Sequence, residues 1–373
     1  MEWSEDKQAR LEQLDGLLQR QGVDLETLQE NPIARLNYWQ GMVKNADDEP
    51  ELVDMAGVEL RPAVTTEYPN PFITQAQPVS IPRSTAKPTK RNYRLIASIP
   101  DEQIGYRFID GEYQPLHDEA AMAVARMILR DYQPDLIVKA GDTGDLGEIS
   151  KYDPDSDHFL HTMQATIDRA HLWNEELRSD NPNARIVEME GNHNRLTKFV
   201  LKHAMQLYNL KLANRPDSWP VVSWPYLTRM AESGVEWVSG YPANEFWAAD
   251  DLVFIHGNTV NSRGSTAAKL SDNYPDANVV FGHVHSHQLH TQTTRRGEYL
   301  TAATFGTLAR IDGVVPSYWN GVDDHNQPVK RYENWTQGIG LIEDYGDGQY
   351  QFDPIFISDG VAKHRGKEYS AWK

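Results

Sequence analysis

Five short apolar, β-rich runs, residues 94–99, 136–140, 185–189, 252–255 and 279–281, each lead directly into polar residues able to bind a metal ion. These followers read Asp101-Glu102-Gln103, Gly141-Asp142-Thr143-Gly144-Asp145, Gly191-Asn192-His193, His256-Gly257 and Gly282-His283-Val284-His285. Helical stretches separate the runs. Between the first two, Ala121, Val124, Ala125 and Ile128 recur at helical spacing over residues 118–129, with Pro134 beyond the end. Alternation of this kind predicts an α/β domain. In an open α/β sheet the strand C-termini face one crevice, so groups from distant parts of the chain converge there. Glycine beside such a group lets the backbone turn sharply and leaves room for ions.

The chain has no cysteine. Disulfides, thiolate nucleophiles and cysteine-held zinc are excluded, so any metal must be held by oxygen and imidazole nitrogen, a donor set that suits manganese, zinc or iron. With 39% hydrophobic residues among 373, the chain can bury a substantial core. No apolar run is long enough to cross a bilayer, and the opening Met-Glu-Trp-Ser-Glu-Asp has neither the basic nor the apolar region of a secretory signal. A soluble, cytoplasmic protein with no membrane partner is the expectation. The net charge of −18 argues against a broadly basic nucleic-acid face but leaves room for a local one. Residues 1–60 alone hold 5 Lys/Arg and 14 Asp/Glu.

That acidic segment carries Leu11, Leu14, Leu17 and Leu18 at helical spacing, with Ser4 as a candidate N-cap and Gly22 as a stop. A second short helix is expected after Asp24. A third, from Pro32, would align Ile33, Leu36, Trp39 and Val43. Residues 1–60 are thus expected to form a small helical N-terminal appendage. Its acidity disfavours a DNA-binding helix-turn-helix, which leaves docking to a protein partner or self-association. Six prolines between Pro62 and Pro88 mark residues 61–91 as an extended linker. The main domain is expected over 92–360, followed by a polar tail, 361–373, that frays. There is no internal repeat.

Taken in order, the five polar segments resemble the pattern of the calcineurin-like metallophosphoesterase superfamily over roughly residues 92–310. That pattern is Asp-x-His, Gly-Asp-x-x-Asp, Gly-Asn-His-Asp/Glu, a lone His and Gly-His-x-His. Single fragments are common; five in order are not. The resemblance implies a two-sheet β-sandwich flanked by helices, with a dinuclear metal site at one edge. It further implies that Asp142 bridges two divalent ions, with Asp101, Gln103 and His285 completing one site and Asn192, His256 and His283 the other. His193 would act at the leaving group as general acid or charge stabiliser, oriented by Asp145. The implied reaction is hydrolysis of a phosphate ester by a metal-activated water, since paired ions clamp a phosphoryl group and lower the pKa of a bound water. The nuclease branch, with DNA as partner, is the favoured expectation, and the arrangement also looks like phosphoesterases of bacteriophages. A phosphomonoesterase or protein phosphatase, and a docking protein with weak turnover, are the alternatives.

Two departures bear on the site. Gln103 stands where the family usually has histidine, and an amide oxygen is a weaker, harder ligand. The expected ions are therefore manganese first, with zinc, iron(II) or magnesium as alternatives, and the first site should bind loosely. Asn194 replaces the usual acidic residue after His193. Arg195, Asn258 and Arg263 are candidates for substrate contact, with Ser265 beside them, although an ion pair or plain loop surface explains such residues equally well. His287 and His290 read as exposed loop histidines, and His158, His161 and His171 as cover for a helix face. Asp153, Asp155 and Asp157 alternate without the glycine or glutamate of a calcium loop. The aromatics Trp219, Trp224, Tyr226, Trp237, Tyr241 and Trp247 read as core before stacking surface.

Overall fold

The computed structural model describes residues 33–44, 50–60, 91–150, 157–215, 218–261, 264–313 and 321–372, the first two stretches by backbone pairing alone. The chain divides into two compact units, Met1–Pro71 and Phe72–Lys373. In the first unit, β1 (Ile33–Lys44) and β2 (Pro50–Leu60) pair antiparallel, with Leu36 opposite Val58 and Val43 opposite Glu51. The helix expected from Pro32 is therefore a strand. The apolar spacing that suggests a helical stripe lies in a segment with Ile, Tyr, Trp and Val, residues that favour a pleated strand, and a partner strand of matching length follows. The helices expected over residues 4–22 and after Asp24, and the linker 61–91 up to residue 90, lie outside the described residues.

In the second unit, an eight-stranded sheet runs in the order β17-β16-β15-β14-β3-β6-β7-β8. Its parallel half is β3 (Arg94–Ile99), β6 (Leu136–Lys139), β7 (Arg185–Met189) and β8 (Val235–Val238). The antiparallel half is β14 (Gln337–Asp344), β15 (Tyr350–Ser358), β16 (Val361–His364) and β17 (Lys367–Ser370). A five-stranded sheet, order β12-β13-β11-β10-β9, comprises β9 (Glu245–Ala249), β10 (Leu252–Ile255), β11 (Asn278–Phe281), β12 (His287–Thr293) and β13 (Tyr299–Phe305). A small hairpin of β4 (Tyr106–Ile109) and β5 (Glu112–Pro115) follows β3.

Side chains alternate along the central strands, and this two-residue period places the layers. Ile96, Leu136, Val138, Val187 and Met189 meet Phe254, Val280, Ala303 and Phe305, filling the space between the two sheets. Leu95, Ala97, Ile99, Ile137 and Ile186 point the other way, against α1 (Glu119–Tyr132) and α2 (Met163–Asp180). Val253, Ile255, Val279 and Phe281 cover the second sheet's outer face with help from Ala267 and Leu270 of a later helix. Each such buried Val, Leu, Ile, Phe or Met side chain contributes roughly 1.5–3 kcal/mol. The result is an α/β sandwich of two sheets flanked by helices. Asp118 caps α1, accepting from Ala120 N at 2.9 Å and Ala121 N at 3.0 Å.

The fraying tail expected over 361–373 is instead the β16–β17 hairpin, with Tyr369 and Ser370 buried. Tyr369 donates to Asp131 at 2.6 Å. Strand continuity outweighs the segment's polarity. His158 and His161 precede α2 rather than lying in it, and only His171 of the three is helical. His287 and His290 lie in β12, not a loop, and the His287 ring stacks on Phe356 at 4.0 Å. Among the described residues no helix is long and apolar enough to cross a membrane.

Candidate metal centre

β3, β6, β7, β10 and β11 all end at one edge of the sandwich, and there the backbone is strained. Asp101, Gln103, Asp142, His283 and His285 adopt φ of 46°, 51°, 52°, 73° and 53°. None is glycine, and each such conformation costs of order 1 kcal/mol or more, so the surrounding hydrogen bonds must hold it. Gln103 N donates to Asp142 O at 2.9 Å, Leu308 N to Asp101 O at 3.1 Å, and His283 N to Asp101 Oδ2 at 2.8 Å. Two glycines are required for room: a Cβ on Gly191 would sit 2.1 Å from Asp142 Oδ1, and one on Gly141 2.3 Å from His256 Nδ1.

Asp142 is the hub. Its Oδ2 lies 3.0 Å from His256 Nε2 and 3.3 Å from Gln103 Nε2. Around His256 stand Asn192, whose Oδ1 is 3.1 Å from Nε2, and His283, whose ring centroid is 5.2 Å away. Asp142, His256 and His283 each offer a ligand atom within 4.8 Å of the others. On the other side His285 Nε2 lies 3.2 Å from Asp101 Oδ1 and 3.3 Å from Gln103 Nε2. All seven side chains expected as ligands are thus brought together around the Asp142 carboxylate.

These donors fit divalent cations. His256 Nδ1 bonds the Ala140 carbonyl at 2.8 Å, which turns Nε2 toward Asp142. Gln103 Oε1 is buried without a partner among the described residues, as is His285 Nδ1. A half-turn of the amide would bring Oε1 to the position between Asp142 and His285 where a cation would need it. The site also calls for positive charge: burial pushes the His256 imidazole down, but the Asp142 carboxylate drives it up to about 9. His283, half-buried and beside His256, is pushed down to about 4 by desolvation and by the neighbouring imidazole.

His193 donates its backbone N–H to Asp142 Oδ1 at 2.8 Å, so its side chain is placed by the hub without being one of the converging ligands. Nδ1 bonds Asp145 Oδ1 at 2.7 Å and Nε2 is 4.0 Å from Asp142 Oδ2. Burial lowers this imidazole's pKa, yet Asp142 and Asp145 raise it to about 9. Asn194, where the resemblance leads one to expect an acid, accepts from Gly191 N at 2.9 Å and closes the turn.

Of the substrate candidates, Arg195 lies 4.8 Å over the Tyr241 ring, itself 5.5 Å from the His256 ring. Asn258 lines a cavity of about 140 Å³ beside Gly257, together with Leu270, Phe281 and Tyr274. Ser265 is exposed, and Arg263 lies outside the described residues. Asp157 is exposed, whereas Asp153 and Asp155 are outside the described residues. Trp224 is core as expected, but Trp219 and Trp247 are 40% and 46% exposed.

Three features escape a reading of the sequence. Glu190 accepts from Gly240 N at 2.7 Å and Tyr241 N at 3.0 Å, holding Tyr241 at the site. Trp335 packs edge-on against His285 at 4.3 Å. Beneath the ligands, Lys139 is buried with its Nζ 2.5 Å from Glu188, 2.8 Å from Asn174 and 3.6 Å from Glu102. Trp173 and Trp224 donate to the same two carboxylates, at 3.0 and 2.6 Å. A lysine and a glutamate inside otherwise apolar runs, 136–140 and 185–189, were the available signal for this floor.

No protein-family model and no curated protein matches the chain in sequence. Among solved structures, a conserved predicted phosphoesterase from Streptococcus pneumoniae TIGR4 aligns at TM-score 0.27 and 10% identity, covering 74% of this chain and 98% of its own. The nuclease MPE of Pseudomonas putida aligns at TM-score 0.27 and 13% identity, over 67% of this chain and 84% of that one. The NAD nucleotidase of Haemophilus influenzae aligns at TM-score 0.29 and 11% identity, over 70% of this chain and 49% of that one.

Proposed function

We propose that this protein is a divalent-metal-dependent phosphoester hydrolase and that its substrate is a phosphodiester of DNA. The observation that carries the proposal is the convergence of Asp101, Gln103 and His285 on one side of Asp142, and of Asn192, His256 and His283 on the other, all from strand ends. Two ions held there would polarise a phosphoryl group and lower the pKa of water.

The chain's own groups supply the rest. His193 Nδ1 is committed to Asp145, which directs Nε2 toward the pocket as a proton donor for the departing oxygen. Arg195, fixed on Tyr241, offers a guanidinium to a non-reacting phosphate oxygen. The strained ligand backbone, locked by interlaced hydrogen bonds, keeps these groups in place before substrate arrives.

The test is manganese-supplemented hydrolysis of labelled single- and double-stranded DNA beside a generic phosphomonoester, with Asp142→Asn as the blank. DNA cleavage absent from the blank is the expected result. Monoester turnover with intact DNA would move the protein to the phosphatases, and full activity in Asp142→Asn would overturn the two-metal reading.

A further inference from the structure

The chain leaves the metal centre through α3 (Leu196–His203) and a 3-10 turn, Met205–Leu207. From residue 191 to residue 215 it carries Arg195, Lys198, Lys202, Lys211 and Arg215 and not one Asp or Glu, in a protein of net charge −18. Along the same arm Leu201, Met205, Leu207, Tyr208, Leu210 and Leu212 are between 38% and 69% exposed. Among the described residues from 201 to 215 only Ala204 is not exposed. Exposed large apolar side chains gathered along one segment in this way suit a docking surface. Its root is at the chemistry: His193 hydrogen-bonds Asp142, and Arg195 stacks on the ring beside His256. The eight-residue helix that leads to it is about 12 Å long.

We propose that this arm is the docking surface for a single strand of nucleic acid feeding the metal centre, an inference that rests on the phosphodiesterase reading above. Local cationic charge on an otherwise acidic protein selects a polyanion. The apolar side chains select the partner further, because unpaired bases present apolar faces along the same line as their phosphates, whereas a duplex keeps those faces stacked inside. Tyr208 and the leucines meet the bases; Lys198, Lys202 and Arg215, which make no ion pair among the described residues, meet the phosphates.

The experiment measures anisotropy of labelled oligothymidylate on the full chain in EDTA, where no cleavage competes. Two variants are compared with wild type: Lys198→Gln/Lys202→Gln/Arg215→Gln, and Leu207→Ser/Tyr208→Ser/Leu210→Ser. The charge variant is expected to bind at least tenfold more weakly. Its plot of log affinity against log salt should be flatter by about 2, at roughly 0.7 per lost phosphate contact. The apolar variant should lose about tenfold with the slope unchanged. Both should keep wild-type turnover of a small chromogenic diester, bis(p-nitrophenyl) phosphate, with manganese. Equal strand affinity in all three proteins overturns the arm, as does tighter binding of duplex than of strand. Conversion of a dimer to a monomer in the apolar variant, with strand affinity intact, would assign the strip to a second copy instead. Absence of small-diester turnover in wild type would strike the hydrolase reading, while strand binding in EDTA still decides the arm.

Discussion

The floor of the metal centre and the arm that leaves it are built by opposite rules. In the floor, Lys139, Glu102 and Glu188 are charged residues with no exposure at all, each tied to a partner. In the arm, large apolar side chains are left partly open to water. Both arrangements are costly for a chain folding alone, since burying charge and exposing leucine each forgo stability. The floor recovers its cost inside the molecule. It joins the ends of β3, β6 and β7, because Glu102 adjoins Asp101, Lys139 lies three residues before Asp142 and Glu188 four before Asn192. Among the described residues the arm's large apolar side chains stay between 38% and 69% exposed, which is why a function for it is sought outside the chain.

The sharpest way to break that contrast is to remove the cation from the floor. Lys139→Met leaves two buried carboxylates facing each other, and an uncompensated buried charge costs about 3–5 kcal/mol. The melting midpoint should fall by roughly 10 °C. Glu102 eases part of the cost: burial raises its carboxyl, Lys139 opposes this and Glu188 adds to it, giving about 7, so it can accept a proton. Adding Glu188→Gln to Lys139→Met should then recover part of the loss by calorimetry. A single variant as stable as wild type would mean the floor is decorative. Next in size is His193→Ala, which should retain metal by elemental analysis and lose roughly 10²-fold or more in turnover. Loss of metal from that variant would make His193 a ligand, contrary to its bonds with Asp145 and its distance from Asp142 Oδ2.

What the sequence exposes and what it hides follows the same division. Strands 94–99, 185–189 and 252–255 coincide with the observed ones residue for residue, because buried central strands are short, apolar and β-branched. The polar residues after them are legible for the same reason, since they stand where those apolar runs stop. The left-handed backbone at Gln103 leaves no trace in residue type, since glutamine is not a residue that prefers it. The hairpin at 33–60 was hidden because an eleven-residue window with mixed apolar spacing satisfies both periods, and only pairing decides. Tyr241 joins the site through Glu190, a contact across 51 residues that no local pattern announces.

A smaller effect tests the link between floor and ligands. Gln103 sits between Asp142 and His285 on a segment that the floor fixes through Glu102. Gln103→His should tighten manganese binding about tenfold, because imidazole is the stronger donor and the backbone is already committed. The readout is metal titration of the demetallated protein. Unchanged or weaker affinity would show that the amide is fitted to its place rather than a compromise.

The smallest effect expected is at the arm, and its smallness carries the point. A serine at Leu207 or Leu210 removes an apolar side chain that water already reaches over nearly half its surface, so the transfer term that dominates core substitutions is cut to roughly half and no closed cavity is left. The unfolding free energy from chemical denaturation should fall by no more than about 1 kcal/mol, with the slope unchanged. The same change at a buried leucine such as Leu177 should cost several times as much. If the arm substitutions destabilise like core ones, those leucines are covered within the folded chain, and the contrast between floor and arm collapses. If they leave stability untouched, the chain keeps an apolar strip it does not need for folding, next to a centre built to act on something else.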